Sequence, residues 1–161
     1  MNDSTTSSSE FTHLAQRLGD IKPPPVLPDG VYSGTLRAYE LTRHRSFASR
    51  VEPGEKEAIV SWRVELHEPQ SEEARELCDA GAIRVEKKTL FWQKSIEGTP
   101  EAQWALKNAL IGLLGEGASN MTIGESLANT SELPVLVTIR TRTDKNDVSR
   151  KFNDIATVVA R

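Results

Sequence analysis

The sequence has few of the residues that build covalent or metal-based sites. Cys78 is the only cysteine among 161 residues, so no disulfide can form within the chain. A lone cysteine is typical of proteins in a reducing compartment, and we expect a cytoplasmic location. The histidines stand at positions 13, 44 and 67, without the spacing of a metal site. We expect no metal and no cofactor.

Long apolar runs are missing as well. No stretch approaches the roughly 20 residues that a membrane-spanning helix requires. The first residues, MNDSTTSSSEF, have neither the basic start nor the apolar core of a secretory signal. We therefore expect a protein that does not enter a membrane.

Sequence motifs that support catalysis are also absent. There is no nucleophile elbow, phosphate-binding glycine loop or dinucleotide fingerprint. The glycines of residues 112–117 stand where a helix would end, which is typical of a C-cap. Asp144, Asp147 and Asp154 are the only acidic cluster near basic residues, and a metal-dependent nuclease needs more converging carboxylates. We expect that the protein is not an enzyme.

The charge is unevenly distributed along the chain. The total is −3, but residues 31–50, 84–94 and 134–161 each carry a net +3, and residues 51–79 carry −6. A fold that gathers the basic stretches on one face could attract phosphate despite the acidic total. The alternative is that these charges are ordinary solvated side chains.

Residues 1–26 are predicted to form a flexible N-terminal arm with a short amphipathic helix. Residues 1–9 are rich in Ser and Thr and lack core-forming side chains. Phe11, Leu14, Ala15 and Leu18 then follow helical spacing. The prolines of residues 23–25 indicate an extended linker. The helix either docks on its own domain or binds a partner, and the first alternative is favoured.

Residues 27–161 are predicted to form one mainly β domain. Strands are expected at 31–43, 58–66, 83–93, 133–142 and 150–159, with a capped helix at 100–114 and a helical or looped segment at 70–80. Strand 58–66 is the clearest, because its apolar and polar residues alternate. The order predicts a five-stranded OB-fold-like Greek-key barrel with an α-helix between strands 3 and 4.

Aromatic residues interleave with basic ones along the predicted strands. Phe91 and Trp92 must lie on opposite faces of one strand, so one of the two enters the core and the other is exposed. Phe47 stands alone in a polar loop, which favours a functional role. Trp62 and Trp104 are expected in the core. Cations that follow a phosphate backbone and rings that stack on bases are together typical of single-strand binding.

The chain also resembles a known family. The motif LPDGVY at 27–32, the strand cores at 59–65 and 88–92, the Ala- and Leu-rich helix at 100–114 and the motif RKFNDI at 150–155 carry the resemblance. They are similar to phage proteins, formerly of unknown function, that are regarded as OB-fold single-stranded-DNA-binding-like proteins. The resemblance implies phage replication or recombination in a host cytoplasm. Many such proteins recruit partners through an acidic tail, and because this sequence ends in VVAR we do not expect that mode of recruitment here.

The sequence leaves two functions open. The first is binding of single-stranded DNA without strong sequence preference, with oligomerisation left open and the N-terminal arm available to replication or recombination proteins. The alternative is a protein-interaction module, an inhibitor or assembly adaptor, on the same barrel. The expected nucleic-acid contacts are Arg37, Arg43, Arg45, Phe47, Arg50, Lys87, Trp92, Lys94, Arg140, Arg142, Lys145 and Lys151.

Overall fold

The computed structural model describes residues 12–21, 25–45, 56–96 and 99–161. The helix expected at 10–18 is not an α-helix in its described part. Two short 3₁₀ turns occur instead, Thr12–Ala15 and Leu18–Asp20. Leu14 and Leu18 are exposed, and the docking of this segment on the domain stays a prediction. A segment this short is marginal as a helix when nothing packs against it.

Five strands form one antiparallel sheet, which confirms the mainly β prediction. They are β1 (Gly30–Arg45), β2 (Lys56–Pro69), β3 (Thr89–Ser95), β4 (Pro134–Thr143) and β5 (Lys151–Ala160). Their order across the sheet is β3-β2-β1-β4-β5, and every neighbouring pair is antiparallel. The third strand was expected to begin at residue 83, but residues 83–88 are irregular and Lys87 has a positive φ.

The alternation of β2 explains which face of the sheet is buried. Val60, Trp62 and Val64 are fully buried, whereas Arg63 between them is exposed. β1 adapts to this curved face through register shifts beside Gly34 and after Leu36. A Cβ at Gly34 would lie 2.8 Å from the Glu65 carbonyl oxygen, so the close approach of β1 to β2 requires glycine there.

The helices are α1 (Glu72–Ala80), α2 (Pro100–Leu114) and α3 (Ile123–Ala128). The predicted cap of α2 is confirmed, because the Thr99 hydroxyl accepts a hydrogen bond from the Ala102 amide. α2 ends at Gly115, whose φ of 90° suits glycine. Ser71 precedes α1, but its hydroxyl accepts from the Val31 amide at 3.1 Å and so ties α1 to β1.

The core lies between the concave face of the sheet and α2. Trp62 and Trp92 pack in it with ring centroids 4.8 Å apart, and the Trp62 indole N–H donates to the Thr130 hydroxyl at 2.9 Å. The expectation for Trp104 was wrong, since it is 61 % exposed. Leu106 faces the core, and at about 100° per residue Trp104 points roughly the opposite way. The Lys107 ammonium lies 4.8 Å from its ring centroid.

The sheet is not closed, so the predicted barrel is not confirmed. β3 and β5 are the two edge strands and share no ladder, although some of their Cα atoms lie within 8 Å. We call the gap between them the seam. α2 packs against both edge strands. No helix in the part of the chain that the structure describes is long and apolar enough to cross a membrane.

Tyr32 supplies a testable contribution to stability. It is fully buried, and its hydroxyl donates to the Pro28 carbonyl at 2.6 Å. Burial raises the pKa of Tyr32 above its ordinary value, and the nearby Cys78 thiol adds to the rise. Because the unfolded chain ionises first, the folded state loses this stabilisation as pH rises above about 10.

Replacing Tyr32 with phenylalanine is therefore expected to have two effects. At neutral pH, the free energy of unfolding falls by about 1 kcal/mol because the hydrogen bond is lost. Between about pH 9 and 11, the variant loses less stability than the original chain. Urea unfolding at several pH values measures both effects. Parallel pH profiles for the two proteins would contradict the assignment.

Candidate nucleic-acid interface

A short strap at residues 25–29 is fixed beside the start of β5. The Asn153 side chain forms both of its bonds with Leu27, accepting from the amide at 2.7 Å and donating to the carbonyl at 2.9 Å. Asp29 accepts from the Thr141 amide at 2.7 Å. Leu27 is buried. These bonds hold the strap against β5, which bounds one side of the seam, and against its neighbour β4.

The strap helps to form a cleft at the seam, which we call the seam cleft. It has a volume of about 880 Å³ and is lined by residues 25–27, 88–90, 147 and 149–153. It therefore joins the start of β3, the start of β5 and the turn between β4 and β5. Its volume lies in the range of cavities that bind extended small ligands.

Three cations line the seam cleft against one carboxylate. Lys88 is half-buried, Arg150 and Lys151 are exposed, and Asp147 supplies the negative charge. The Ser149 hydroxyl and amide both donate to Asp147 and lower the pKa of its carboxyl. This carboxylate thus shapes the turn that places Arg150 and Lys151, and one Arg150 nitrogen lies 4.0 Å from Asp144.

The turn between β4 and β5 is built mainly from its own side chains. Asp144 accepts from the Asn146 amide at 2.9 Å, which is an Asx turn. The Asp144 amide donates to the Arg150 carbonyl and closes the turn. Lys145 is exposed within this turn. The turn therefore presents basic residues beside the cleft from a locally ordered backbone.

Phe91 and Arg63 extend this surface along the outer face of the sheet. They are register partners on β3 and β2, and both side chains are exposed. Thr89 lines the seam cleft and lies on the same face of β3 as Phe91, roughly 7 Å away along the strand. We call the outer surface that continues from the cleft to the Phe91 ring and Arg63 the groove.

Some of the predicted contacts gather near the seam cleft. Lys151 lines it, Lys87 is adjacent to Lys88, and Lys145 lies in the neighbouring turn. Arg140 is exposed near the end of β4, opposite Asp154. These residues stay predicted contacts.

Other predicted contacts are engaged elsewhere. Arg37 pairs with Glu65 at 3.0 Å and with Glu132, and its hydrogen bond lowers the pKa of Glu65. Arg142 pairs with Asp154 at 2.6 Å. A cation held by a carboxylate within the protein is less available to a phosphate. These two arginines are therefore weaker candidates than the charge pattern indicated, whereas the Arg150–Asp144 contact is longer, at 4.0 Å, and holds its guanidinium less firmly.

Trp92 requires a correction. It is 6 % exposed and stacks on Trp62, so it cannot offer its ring to a base, and the exposed aromatic of this strand is Phe91. The reason is register, since Trp92 lies opposite Trp62 on the buried face. Lys94 shares that face, with its ammonium 5.6 Å from the Trp92 ring centroid. Lys94 is therefore not part of the outer groove.

The remaining predicted contacts belong to the hairpin between β1 and β2. Arg43 is exposed on the far part of β1, opposite Ala58, and Arg45 is the last residue of that strand. Phe47 and Arg50 lie outside the described residues. By register, the described end of this hairpin is remote from the start of β1, where the strap and the turn after β4 lie.

Five residues of the groove were not among the expected contacts: Arg63, Lys88, Phe91, Arg150 and Phe152. Phe152 is 45 % exposed and lines the seam cleft. The alternation of side chains along β2 and β3 could have identified Arg63 and Phe91. Each is next to a buried tryptophan in the sequence and therefore lies on the other, outer face of the sheet. Within the described residues, no cluster of His, Cys, Asp or Glu side chains could hold a metal ion.

Comparison with protein-family models, with curated proteins and with solved structures finds no match to this chain. The resemblance to the phage family therefore stays a prediction.

Removing the Asn153 side chain tests the strap. Asn153→Ala leaves the Leu27 amide and carbonyl without these partners, and we expect the free energy of unfolding to fall by about 1–3 kcal/mol. Asn108→Ala is the matched control, because Asn108 is exposed on α2 and alanine favours helix. Chemical unfolding measures both variants. Equal stabilities would show that the strap is not held by Asn153.

Proposed function

We propose that the protein binds single-stranded DNA without strong sequence preference, along the groove that joins the seam cleft to Phe91 and Arg63. The observation that supports the proposal most is the lining of the cleft. Three cations and an exposed phenylalanine line one open cleft whose only carboxylate, Asp147, is hydrogen-bonded into its own turn.

The charge arrangement matches the backbone of a single strand. Lys88, Arg150 and Lys151 lie on different elements around the seam cleft, and Arg63 lies further along the outer face. Each cation that contacts a phosphate of the strand releases a condensed counterion. The acidic total of the chain does not oppose this, because a local basic groove sets the potential that the strand meets.

The aromatic rings supply the second half of the recognition. Phe152 lines the cleft and Phe91 is exposed beyond it. Each ring that stacks on a base contributes about 1–3 kcal/mol whatever the base is. We therefore expect Phe152→Ala to weaken binding by roughly 5- to 100-fold, with little dependence on sequence.

The topology agrees with this use. In an OB-fold the face of strands 2 and 3 and the loops between strands 1 and 2 and between strands 4 and 5 bind oligonucleotides, and the proposed surface uses the first and the last of these. In this chain, Phe91 and Arg63 lie on the β2–β3 face, and the cleft includes the turn after β4. An OB-like barrel with an open seam, and a role in phage replication or recombination, are the corresponding proposals for fold and biology.

Fluorescence anisotropy of labelled oligothymidine with the full chain tests the proposal. Binding is expected at about 50 mM salt and micromolar protein, with a slope near −3 in a plot of log affinity against log salt for four contacted phosphates. Duplex DNA of the same length is expected to bind more weakly, because its bases are not free to stack. No binding to the oligothymidine would overturn the proposal and favour the protein-interaction alternative.

A further inference from the structure

Asp147 places a negative charge in the lining of the seam cleft, among the three cations that the proposed function assigns to phosphate contact. Its charge opposes that function, because a carboxylate repels the phosphates of an approaching strand. On charge alone, removing this carboxylate should strengthen binding. The hydrogen bonds of Asp147 indicate that its side chain also makes a favourable contribution, through geometry.

The hydrogen bonds of Asp147 hold the backbone that leads into the cations. Its Oδ1 atom accepts from the Ser149 hydroxyl at 2.6 Å and from the Ser149 amide at 3.1 Å. Its backbone carbonyl accepts from the Arg150 amide at 3.0 Å. Asp147 therefore fixes the two residues that immediately precede Lys151, where β5 begins.

The rest of this turn supplies few other constraints on residues 147–150. Residues 144–150 contain neither glycine nor proline, which set the backbone of many turns. Val148 is 79 % exposed, so its side chain does not anchor the turn to the core. Asp144 bonds to the Asn146 amide and, through its own amide, to the Arg150 carbonyl. The order of the second half of the turn therefore depends mainly on Asp147.

We propose that Asp147 is a positioning residue of the seam cleft, which holds Arg150 and Lys151 at the cleft before DNA arrives. This inference rests on the proposed function. The carboxylate acts through Ser149 on the two cations and does not itself contact phosphate. Cations that are ordered in advance lose less conformational entropy on binding than mobile ones. Binding thus depends on the acceptor oxygen of residue 147 and is opposed by its negative charge.

Asparagine and alanine at position 147 separate the acceptor from the charge. Both variants remove one negative charge, but Asp147→Asn keeps an oxygen that can accept both bonds from Ser149. In anisotropy with labelled oligothymidine at about 50 mM salt, we expect Asp147→Asn to bind about threefold more tightly than the original chain. We expect Asp147→Ala to bind roughly fivefold more weakly than the original chain.

Two further variants control for charge and for folding. Glu76→Ala makes the same change of charge at an exposed position of α1, outside the cleft, and should bind within about 1.5-fold of the original chain. Ser149→Ala leaves the net charge unchanged and removes one of the two bonds to Asp147, so it should weaken binding about twofold. Urea unfolding verifies that each variant is folded in the binding assay.

Hydrogen exchange of the free protein measures the positioning without DNA. The Ser149 amide should exchange at least about threefold faster in Asp147→Ala than in Asp147→Asn, because only alanine removes its acceptor. Equal exchange in the two variants, or equal affinity of the two for oligothymidine, would overturn this inference alone. If the original chain did not bind oligothymidine, the proposed function would fail and this inference with it.

Discussion

Replacing Lys88, Arg150 and Lys151 together with glutamine is expected to lower the affinity for oligothymidine roughly 100-fold at about 0.1 M salt. Each phosphate contact to a single strand contributes about 0.7 log units of affinity per log unit of salt. Because 0.1 M lies one log unit below about 1 M salt, three contacts contribute about two log units of affinity at 0.1 M. These side chains line the seam cleft, and none is buried in the core. The fold should be unaffected, and circular dichroism can verify this.

The salt dependence separates this explanation from a general effect of charge. The triple variant should have a slope about 2 units shallower than the original chain, because three contacts are lost. Arg75, Lys107 and Arg161 are exposed cations outside the cleft and provide a control with the same change in net charge. If the control triple lost as much affinity and slope, the cleft would not be the binding site.

The strand pattern of the fold could be predicted because it depends on local rules. Alternation marked β2, and a Thr cap followed by proline marked the start of α2. The closure of the sheet could not be predicted, because the distance between β3 and β5 depends on twist and on α2 packing across both strands. Trp104 shows the same limit, since its residue type indicated burial but its angular position on α2 decided its exposure.

The candidate site was harder to predict because it depends on pairing between distant segments. A charge pattern cannot show that Arg37 is held by Glu65 and Glu132, which lie on other parts of the chain. Likewise, the strap joins Leu27 to Asn153 over more than a hundred residues. The composition indicated that basic and aromatic residues could contact DNA. The order of strands in the sheet decided which of these residues line the same cleft.

Phe91 and Trp92 provide the sharpest contrast between neighbours, and their alanine variants should behave in opposite ways. Trp92→Ala removes a ring that is stacked on Trp62 in the core, and the free energy of unfolding should fall by about 3–5 kcal/mol. Phe91→Ala removes an exposed ring, and its stability should change by no more than about 0.5 kcal/mol. Urea unfolding of both variants measures this difference.

Binding should separate the same two variants in the reverse order. Phe91→Ala is expected to weaken oligothymidine binding by roughly 5- to 100-fold through lost stacking. Trp92→Ala, measured where the variant remains folded, should bind as the original chain does, because its ring does not reach the surface. Should Trp92→Ala lose affinity while folded and Phe91→Ala keep it, the groove would have to follow the inner face of β3 beside Lys94 instead of the outer face.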